Sequence, residues 1–263
     1  MTDKIYKYPR TEHIEGSRFQ PGDEDLANHP FSSIVGCSLV IEEKLDGANS
    51  AISFSQDGQL LLQSRGHFLL GGTSEKHFNL FKQWANIHAT AFKAVLGTRY
   101  ILYGEWLYAK HTIFYDKLPH YFLEFDLLDK EKMEFLSTER RQEIVSSLPV
   151  TSVPILHQGT ISTQKELSRL VQNSKFIKSG HFERLRQACI ERNLDVERAF
   201  GETDPSSLME GLYIKIEEDG LVKQRFKYVR ASFLTAVDNS NSHWLSRPII
   251  PNLLDPNVDI FKT

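Results

Sequence analysis

Residues 42–54 read EEKLDGANSAISF, in which a Lys-x-Asp-Gly motif interrupts two short strand patterns. If the first strand ends at Leu45 and the next two residues turn the chain, Lys44 stands at the rim of a sheet, with Glu43 on the opposite face. A lysine at a strand end is most often a solvated surface residue. A match to three fixed residues is expected by chance in fewer than about one chain in ten of this length. The motif alone is therefore a moderate signal for a reactive lysine.

The composition is that of an ordinary globular protein. With 263 residues, 40% of them hydrophobic and 25% charged, the chain can bury a core as one large domain or two small ones. The sequence shows no secretory leader and no apolar run that would span a bilayer, so we expect a cytoplasmic protein without a membrane segment. Cys37 and Cys189 do not form a Cys-x-x-Cys pair, which argues against structural zinc. A net charge of -3 means that nucleic-acid binding would need a local basic patch.

Two hairpins are predicted from alternating apolar residues on either side of an Asp-Gly pair. The first is SAISFSQDGQLLLQS at residues 50–64, and the second joins GLYIKIE to LVKQRFKYV through Asp219-Gly220. Between them, Thr163 and Glu166 form a capping-box pattern that opens a helical region. We expect one domain over residues 1–240 with a helical insert at about 160–205. We expect residues 241–263, which include Trp244, to form a tail packed on that domain.

Further residues with chemical potential recur on the predicted strands. They are Glu105 in YGEWL, Phe125 in YFLEFDLL, Glu210 and Lys215 in MEGLYIKIE, and Lys223 and Arg225 in LVKQRFKYV. In this order and at these intervals, residues 38 to 230 resemble the covalent nucleotidyltransferase superfamily of ATP-dependent DNA and RNA ligases and capping enzymes. The segment EKLDGAN, with Asn49 five residues after the lysine, looks most like RNA ligases of the phage nick-sealing type and their cellular relatives.

The resemblance implies an α+β fold and a nucleotide-dependent reaction. The fold would be a nucleotidyltransferase core, an ATP-grasp-like ligase core of antiparallel sheets around an ATP cleft with peripheral helices. ATP and Mg²⁺ or Mn²⁺ would be the cofactors, and RNA with 5′-phosphate and 3′-OH ends would be the partner. Lys44 would take AMP, pass it to the RNA 5′-phosphate, and a 3′-OH would then displace AMP. Because the lysine must attack unprotonated, nearby positive charge should lower its pKa.

The resemblance also implies roles for individual side chains. Glu210 would lie on the metal side and Glu105 would contact the ribose or the metal, since carboxylates suit Mg²⁺. Phe125 would stack on adenine, with Phe122 as the substitute, and Arg65 would contact ribose and a substrate 5′-phosphate. The other residues expected to contact the nucleotide are Glu43, Asn49, Lys215 and Lys227.

The resemblance assigns two cations of the last strand to the phosphates. Lys223 and Arg225 are the first choice, because the thirteen-residue step from Glu210 through one short hairpin is expected to place Lys223 beside the Glu210 strand. Relatives usually carry lysine at both positions. Lys227 or Arg230 is therefore the alternative second cation if the strand is offset.

Missing motifs narrow the enzyme class. About 33 residues follow the last predicted strand, too few for the OB-fold domain that DNA ligases and capping enzymes append. No Walker-type GxxxxGK is present, so a second kinase activity is not expected. These features favour an RNA ligase acting in RNA repair. The alternatives are a ligase or adenylyltransferase for DNA or other nucleic-acid ends, and a non-catalytic module that binds ATP or RNA.

Overall fold

Two β-sheets form the centre of the molecule. The structure, a computed structural model, describes residues 3–19, 22–233 and 247–262, so Trp244 lies outside the described residues. The strands are β1 (Glu12–Ile14), β2 (Asn28–His29), β3 (Leu39–Lys44), β4 (Ala48–Phe54), β5 (Leu60–Ser64), β6 (Tyr100–Trp106), β7 (Phe122–Asp129), β8 (Glu134–Phe135), β9 (Thr151–Ser152), β10 (Ile155–Gly159), β11 (Gly211–Glu218) and β12 (Leu221–Val229).

The first sheet has the strand order β10-β3-β11-β12-β1-β2, and the second has the order β5-β4-β6-β7-β8 with β9 beside β7. Most neighbours run antiparallel, while β1 lies parallel to β12 and to β2. Because β3 belongs to the first sheet and β4 to the second, the turn between them crosses from one sheet to the other. The expected α+β architecture with two largely antiparallel sheets is confirmed.

The helices lie on the outer faces of the sheets. They are α1 (Asn79–Ile87), α2 (Ala89–Leu96), α3 (Thr138–Val145), α4 (Gln164–Arg169), α5 (His181–Ile190) and α6 (Val196–Gly201), together with short 3-10 helices at Phe31–Ser33 and Thr73–Phe78. The capping box predicted for Thr163 and Glu166 is confirmed at the start of α4. Helices α4 to α6 follow β10 and precede β11, within the stretch predicted as helical. No helix among the described residues is both long enough and apolar enough to cross a bilayer.

Both predicted hairpins form, with different loops. Strands β11 and β12 pair from Glu218 and Leu221 onward, so Asp219 and Gly220 make a two-residue loop with φ values of 55° and 75°. Both residues therefore have the positive φ of a type I′ turn. Strands β4 and β5 pair from Phe54, and a longer loop over residues 55–59 joins them instead of a two-residue turn.

Separate apolar layers support the two sheets. The outer face of the second sheet packs on α1 and α2, where Phe81, Trp84 and Trp106 are fully or almost fully buried. The outer face of the first sheet packs on the helical region through residues such as Leu167 and Leu212. Burial of one such side chain contributes about 1.5–3 kcal/mol. Since each sheet is held from outside, the space between them can remain open as a cleft.

The described part of the C-terminal tail runs along the core. The Lys110 backbone N–H donates to the Ile250 carbonyl at 2.8 Å, and Asn252 Nδ2 donates to the Leu107 carbonyl at 2.7 Å. Ile260 is buried in the same apolar layer as α1 and α2. Residues 247–262 therefore brace the loop that follows β6, close to the cleft.

Candidate active site

A cleft of about 770 Å³ opens between the two sheets. Its walls include the end of β3, the start of β4, part of β6 and the residue just before β11. The stretch before β1 also contributes, through Tyr8 and Arg10. The turn at residues 45–47 lies in the wall because it carries the chain from one sheet to the other. The residues of the opening motif are thus concentrated at one cavity.

Lys44 is the last residue of β3 and lines the cleft. Antiparallel pairing sets it opposite Gly211, the first residue of β11, so Glu210 comes one residue earlier. Lys44 Nζ donates a hydrogen bond to Glu210 Oε1 at 2.6 Å. The Lys44 side chain is 23% exposed and that of Glu210 only 2%. The lysine predicted to be the nucleophile therefore contacts the carboxylate predicted for the metal side.

Gly211 keeps Glu210 in place through a close approach of two strands. A Cβ atom added at Gly211 would lie 1.9 Å from the carbonyl oxygen of Tyr228 on β12, a distance that no side chain can tolerate. Any larger residue would push β11 away from β12. The position of Glu210 relative to Lys44 therefore depends on this glycine.

The pKa of Lys44 is raised above its ordinary value. Burial by itself would lower the pKa, but the charge of Glu210 and its hydrogen bond outweigh burial, and Glu105 and Asp46 add to the effect. In this arrangement Lys44 is an ammonium and its nitrogen has no lone pair for attack. Chemistry at Lys44 requires that the ammonium lose a proton, and the approach of other positive charge would favour that loss.

Glu105 on β6 also lines the cleft and is affected by the same charges. Burial raises the pKa of Glu105 to about 8; Lys44 opposes this shift, and Glu210 and Asp46 increase it. Carboxyl groups gathered around one lysine cannot all ionise at neutral pH without additional positive charge. The cluster is therefore suited to receive a cation.

The carboxylates do not by themselves enclose a metal ion. Within the described ranges, no three His, Cys, Asp or Glu side chains are grouped closely enough to hold one. Mg²⁺ commonly keeps several waters and is bound by one or two carboxylates together with substrate phosphates. Glu210 and Glu105 fit that shared mode of binding.

Asp46 stabilises the turn next to the lysine. Its Oδ2 accepts hydrogen bonds from the backbone N–H groups of Thr112 and Ile113, both at 2.7 Å. A Cβ atom added to Gly47 would lie 2.8 Å from the Trp106 carbonyl oxygen, which explains the need for glycine. The predicted Asp-Gly turn is confirmed, and it anchors the end of β3 to the loop after β6.

Aromatic side chains surround another part of the cleft. Phe125 lines it and packs edge-on against Tyr8, with ring centroids 5.2 Å apart, and against Tyr213 at 6.0 Å. Phe122 is fully buried beside Phe81 and faces the helices. Phe125 is therefore positioned to stack on a base, whereas the substitute residue Phe122 is not.

A buried charge network lies behind the aromatic side chains. It consists of three carboxylates and three cations: Glu42, Glu124, Asp126, Arg141, Lys215 and Arg225. Lys215 Nζ lies 2.9 Å from Glu42 Oε2 and 3.1 Å from Asp126 Oδ1. Since β7 carries Asp126 while β3 and β11 carry Glu42 and Lys215, the network joins the two sheets.

The network accounts for two residues that the sequence assigned to the nucleotide. Lys215 is fully buried, and its Nζ also donates to the Phe125 carbonyl. Arg225 Nε lies 3.1 Å from Asp126 Oδ2, and its guanidinium lies 3.9 Å from the Phe135 ring centroid. Neither side chain lines the cleft. The structure thus places Lys215 and Arg225 in support of Phe125 rather than at the cleft surface.

The predicted register of β12 is wrong. The hairpin loop is so short that Val229, at the far end of β12, lies opposite Gly211 of β11, the residue that pairs with Lys44 on the other side. Lys223 falls at a register shift near the hairpin, where it is exposed and away from the cleft. Lys227 pairs opposite Tyr213 and lines the cleft. Of the cations considered for the phosphates, Lys227 is the one that the strand carries to the site.

Other predicted residues reach the cleft as expected. Asn49 on β4 pairs opposite Glu105 on β6, and Arg65 extends from the hairpin tip after β5. Glu43 also lines the cleft but is only 2% exposed. Burial raises the pKa of Glu43 to about 7, and a hydrogen bond from Ser174 and the charge of Lys175 partly offset the rise.

The alternative cation Arg230 also lies away from the cleft surface. It is buried, pairs with Asp204, and donates from Nε to the Met209 carbonyl at 2.7 Å. These contacts fasten the end of β12 to the chain just before Glu210.

Sequence reasoning missed the contribution of the N-terminal stretch. Tyr8, Arg10 and Asp23 all line the cleft, and Tyr8 hydrogen-bonds to Asp126 of the buried charge network. This stretch lacks regular periodicity, and its contacts are far away in sequence. No local signal distinguished these side chains from ordinary surface residues.

The chain is similar to known proteins both in sequence and in fold. The RNA ligase family model matches residues 38–229. No curated protein sequence matches the chain. Solved structures of Naegleria gruberi RNA ligase are similar in fold. An apo variant is 18% identical with a TM-score of 0.55, covering 89% of this chain and 58% of that one.

Two further Naegleria gruberi structures contain ligands. The RNA ligase with PPi is 19% identical, with a TM-score of 0.53 and coverage of 89% of this chain and 58% of that one. A variant with ATP and Mn is 18% identical, with a TM-score of 0.52 and coverage of 79% and 53%. The chain therefore spans only about half to three-fifths of the length of these proteins. Because the family match extends over most of the sequence and includes both Lys44 and Glu210, the chain belongs to the RNA ligase family.

Proposed function

We propose that the protein is an ATP-dependent RNA ligase that works through a lysyl-AMP intermediate on Lys44. The observation that carries the proposal is the position of Lys44 Nζ in the cleft, 2.6 Å from Glu210 Oε1. Glu105 and Lys227 line the same cavity. The Naegleria structures that contain ATP and Mn, or PPi, support a nucleotide and a divalent cation as cofactors. A role in RNA repair in the cytoplasm belongs to the same proposal.

In the first step, Lys44 Nζ attacks the α-phosphorus of ATP. A P–N bond forms, the P–O bond to the β-phosphate breaks, and pyrophosphate leaves in line. The proton that Lys44 must lose has Glu210 Oε1 as an acceptor at hydrogen-bond distance. Lys227 is the cation that can neutralise charge on the phosphoryl oxygens and also disfavour the ammonium of Lys44.

Adenine would occupy the aromatic part of the cleft against Phe125. The Phe125 backbone is held by Lys215, and the ring is bordered by Tyr8 and Tyr213. A ring held on several sides provides a rigid stacking surface. Mg²⁺ or Mn²⁺ would be held by Glu210 and Glu105 together with phosphate oxygens, and it would neutralise phosphate charge.

In the second and third steps, AMP passes to an RNA end and is then released. The RNA 5′-phosphate attacks the α-phosphorus of lysyl-AMP, which frees Lys44 and forms a pyrophosphate link between AMP and the RNA. A 3′-OH then attacks the RNA phosphate and AMP leaves. Arg65 and Asn49 line the cleft and are the side chains assigned to the RNA phosphate.

Sealing of matched substrates tests this function. Nicks and single strands with all-RNA, all-DNA or mixed-sugar ends are incubated with ATP and Mg²⁺, and the joined product is measured. We expect efficient joining only with RNA ends that carry a 5′-phosphate and a 3′-OH. Lys44→Ala should abolish joining, while Lys223→Ala, which changes an exposed residue outside the cleft, should preserve it.

The other outcomes identify the competing functions. Equal joining of all-DNA ends would assign the protein to general nucleic-acid end joining. Binding of ATP without any joined or adenylylated product would identify a nucleotide-binding module. Either result would contradict the proposal of an RNA ligase.

A further inference from the structure

The N-terminal stretch places two basic side chains beside Lys227. Strand β1 pairs in parallel with β12, and this register sets His13 opposite Lys227. Arg10 lies shortly before β1 and lines the cleft together with Lys227. None of these three residues belongs to the Lys-x-Asp-Gly motif, and both Arg10 and His13 lie outside the residues matched by the family model.

A carboxylate of the protein itself lies among these three side chains. Asp23 Oδ2 accepts hydrogen bonds from Lys227 Nζ and from His13 Nε2, the latter at 3.1 Å. Arg10 Nη2 lies 3.8 Å from Asp23 Oδ1. The Asp23 side chain is only 14% exposed, and that of Lys227 is 11% exposed. The hydrogen bonds of His13 and Lys227 outweigh burial and keep the pKa of Asp23 well below its ordinary value, so it is an anion.

We propose that Lys227, His13 and Arg10 form a polyphosphate site, that Asp23 occupies this site in the free protein, and that the phosphates of ATP displace Asp23. The inference rests on the proposed function only in naming ATP as the natural ligand. Asp23 would then act as an internal competitor for the nucleotide.

Two of the three donors, His13 and Arg10, have contacts that do not depend on Asp23. His13 Nδ1 is hydrogen-bonded to Ser17 Oγ at 2.7 Å, and the ring stacks on Phe19 with centroids 4.2 Å apart. Arg10 Nη1 donates to Asp25 at 2.6 Å. Because the carboxylate of Asp23 can only accept, His13 Nε2 must carry a proton and can donate it to an incoming oxygen instead. The site is therefore preorganised for an anion.

A polyphosphate is a stronger ligand for this site than one carboxylate. Phosphate groups offer more acceptor oxygens and more negative charge, and charge-assisted hydrogen bonds strengthen accordingly. Lys227 also lies near Lys44 and Glu210, close enough for their charges to affect its pKa. A phosphate chain bound at Lys227 would therefore begin beside the α-phosphate that Lys44 attacks. Occupancy by Asp23 lowers the apparent affinity for nucleotide by the fraction of protein in which the site is already filled.

The test compares Asp23→Asn with Glu24→Gln. Glu24 is a matched control because it is the next carboxylate along the chain, is exposed, and accepts a hydrogen bond from the Gly22 backbone N–H. Calorimetric titration measures the Kd for ATP with Mg²⁺ and, separately, for inorganic tripolyphosphate. We expect Asp23→Asn to tighten binding of both ligands about 5- to 10-fold, by removing the competing charge. Glu24→Gln should change either Kd less than about twofold.

Hydrogen exchange in the unaltered protein gives an independent readout. The Leu26 N–H donates to the Asp23 carbonyl at 2.9 Å, so displacement of Asp23 should speed exchange of this amide when ATP or tripolyphosphate is added. Unchanged or weaker binding by Asp23→Asn, or slower exchange at Leu26 on ligand addition, would overturn the inference.

Tripolyphosphate binding and lysyl-AMP formation can succeed or fail independently, so the two measurements distinguish this inference from the proposed function. If the unaltered protein binds tripolyphosphate and Asp23→Asn binds it more tightly, the anion site is supported even when no lysyl-AMP forms. If lysyl-AMP forms but Asp23→Asn requires more ATP for half-maximal labelling, the inference fails and the proposed function stands.

Discussion

Replacement of Lys215 by methionine tests whether this residue supports the fold or contacts the nucleotide. Lys215 is fully buried and its Nζ contacts Glu42 at 2.9 Å and Asp126 at 3.1 Å. Methionine has a similar length but no charge, so Lys215→Met leaves both carboxylates without this cation. Because the side chain does not line the cleft, the main effect should be on stability.

The expected loss of stability follows from the burial of the network. Removing one partner of a buried ion pair typically lowers the free energy of unfolding by roughly 3–5 kcal/mol, because the remaining charge is left uncompensated. Arg141 lies 3.1 Å from Glu42 and Arg225 lies 3.1 Å from Asp126, so both carboxylates keep one cation. We therefore expect the lower end, about 3 kcal/mol. For a chain of this size this corresponds to a decrease in Tm of roughly 6–12 °C.

Urea unfolding followed by tryptophan fluorescence measures the free energy, and calorimetry measures Tm. Lys223→Met is the matched control on the same hairpin, because Lys223 is exposed, and it should change stability by less than about 0.5 kcal/mol. Combining Lys215→Met with Asp126→Asn should cost at least about 1 kcal/mol less than the sum of the single changes, because one orphaned charge is removed. A wild-type midpoint for Lys215→Met, or strict additivity in the double variant, would refute the reasoning.

Three further predictions concern the cleft. Lys227→Ala should reduce the rate of self-adenylylation at least about tenfold, because the cation that contacts the phosphates is lost, while Lys223→Ala should leave the rate unchanged. Single-turnover labelling with ATP measures both rates. A larger loss for Lys223→Ala than for Lys227→Ala would support the register expected from sequence. The folded protein holds a proton on Glu43 between pH 4.5 and about 7 that the unfolded chain releases, so stability falls as pH rises through this range. Glu43→Gln should consequently stabilise the protein at pH 8 by on the order of 2 kcal/mol relative to wild type, with little effect at pH 4. Urea unfolding at pH 4 and pH 8 measures both free energies, and a variant that is less stable than wild type at pH 8 would contradict this prediction. Alanine at Arg65 or Asn49 should leave adenylylation nearly intact and lower sealing at least about tenfold, whereas a parallel loss of both activities would assign these residues to the ATP side.

Local patterns were sufficient for the turns beside the site. Asp-Gly pairs mark turns whatever the tertiary context, so the end of β3 and the short hairpin after Glu218 were predictable. The turns do not determine that β3 pairs with β11; Glu210 came from the resemblance, and the antiparallel pairing of the two strands places it beside Lys44. The resemblance added Glu105, which the register of β4 and β6 brings to the same cavity.

The rest depends on contacts between distant residues. The register of β12 is an exception, because it follows from the hairpin itself: a two-residue loop pairs Glu218 with Leu221, which puts Lys223 near the loop and Val229 opposite Gly211. Lys215 and Arg225 look like exposed strand cations in sequence, since only the second sheet supplies the Asp126 that buries them. Asp23 likewise reaches Lys227 across about 200 residues of chain, a pairing with no local signature.

Mass spectrometry of the protein after incubation with ATP and Mg²⁺ tests the central claim most directly. The account predicts a mass increase of one AMP, located on Lys44 by peptide sequencing, stable to base and labile to acid as expected of a P–N bond. Addition of 5′-phosphorylated RNA should remove the adduct and produce adenylylated RNA. An unmodified protein under these conditions, or an adduct that persists at full stoichiometry in Lys44→Ala, would contradict the account.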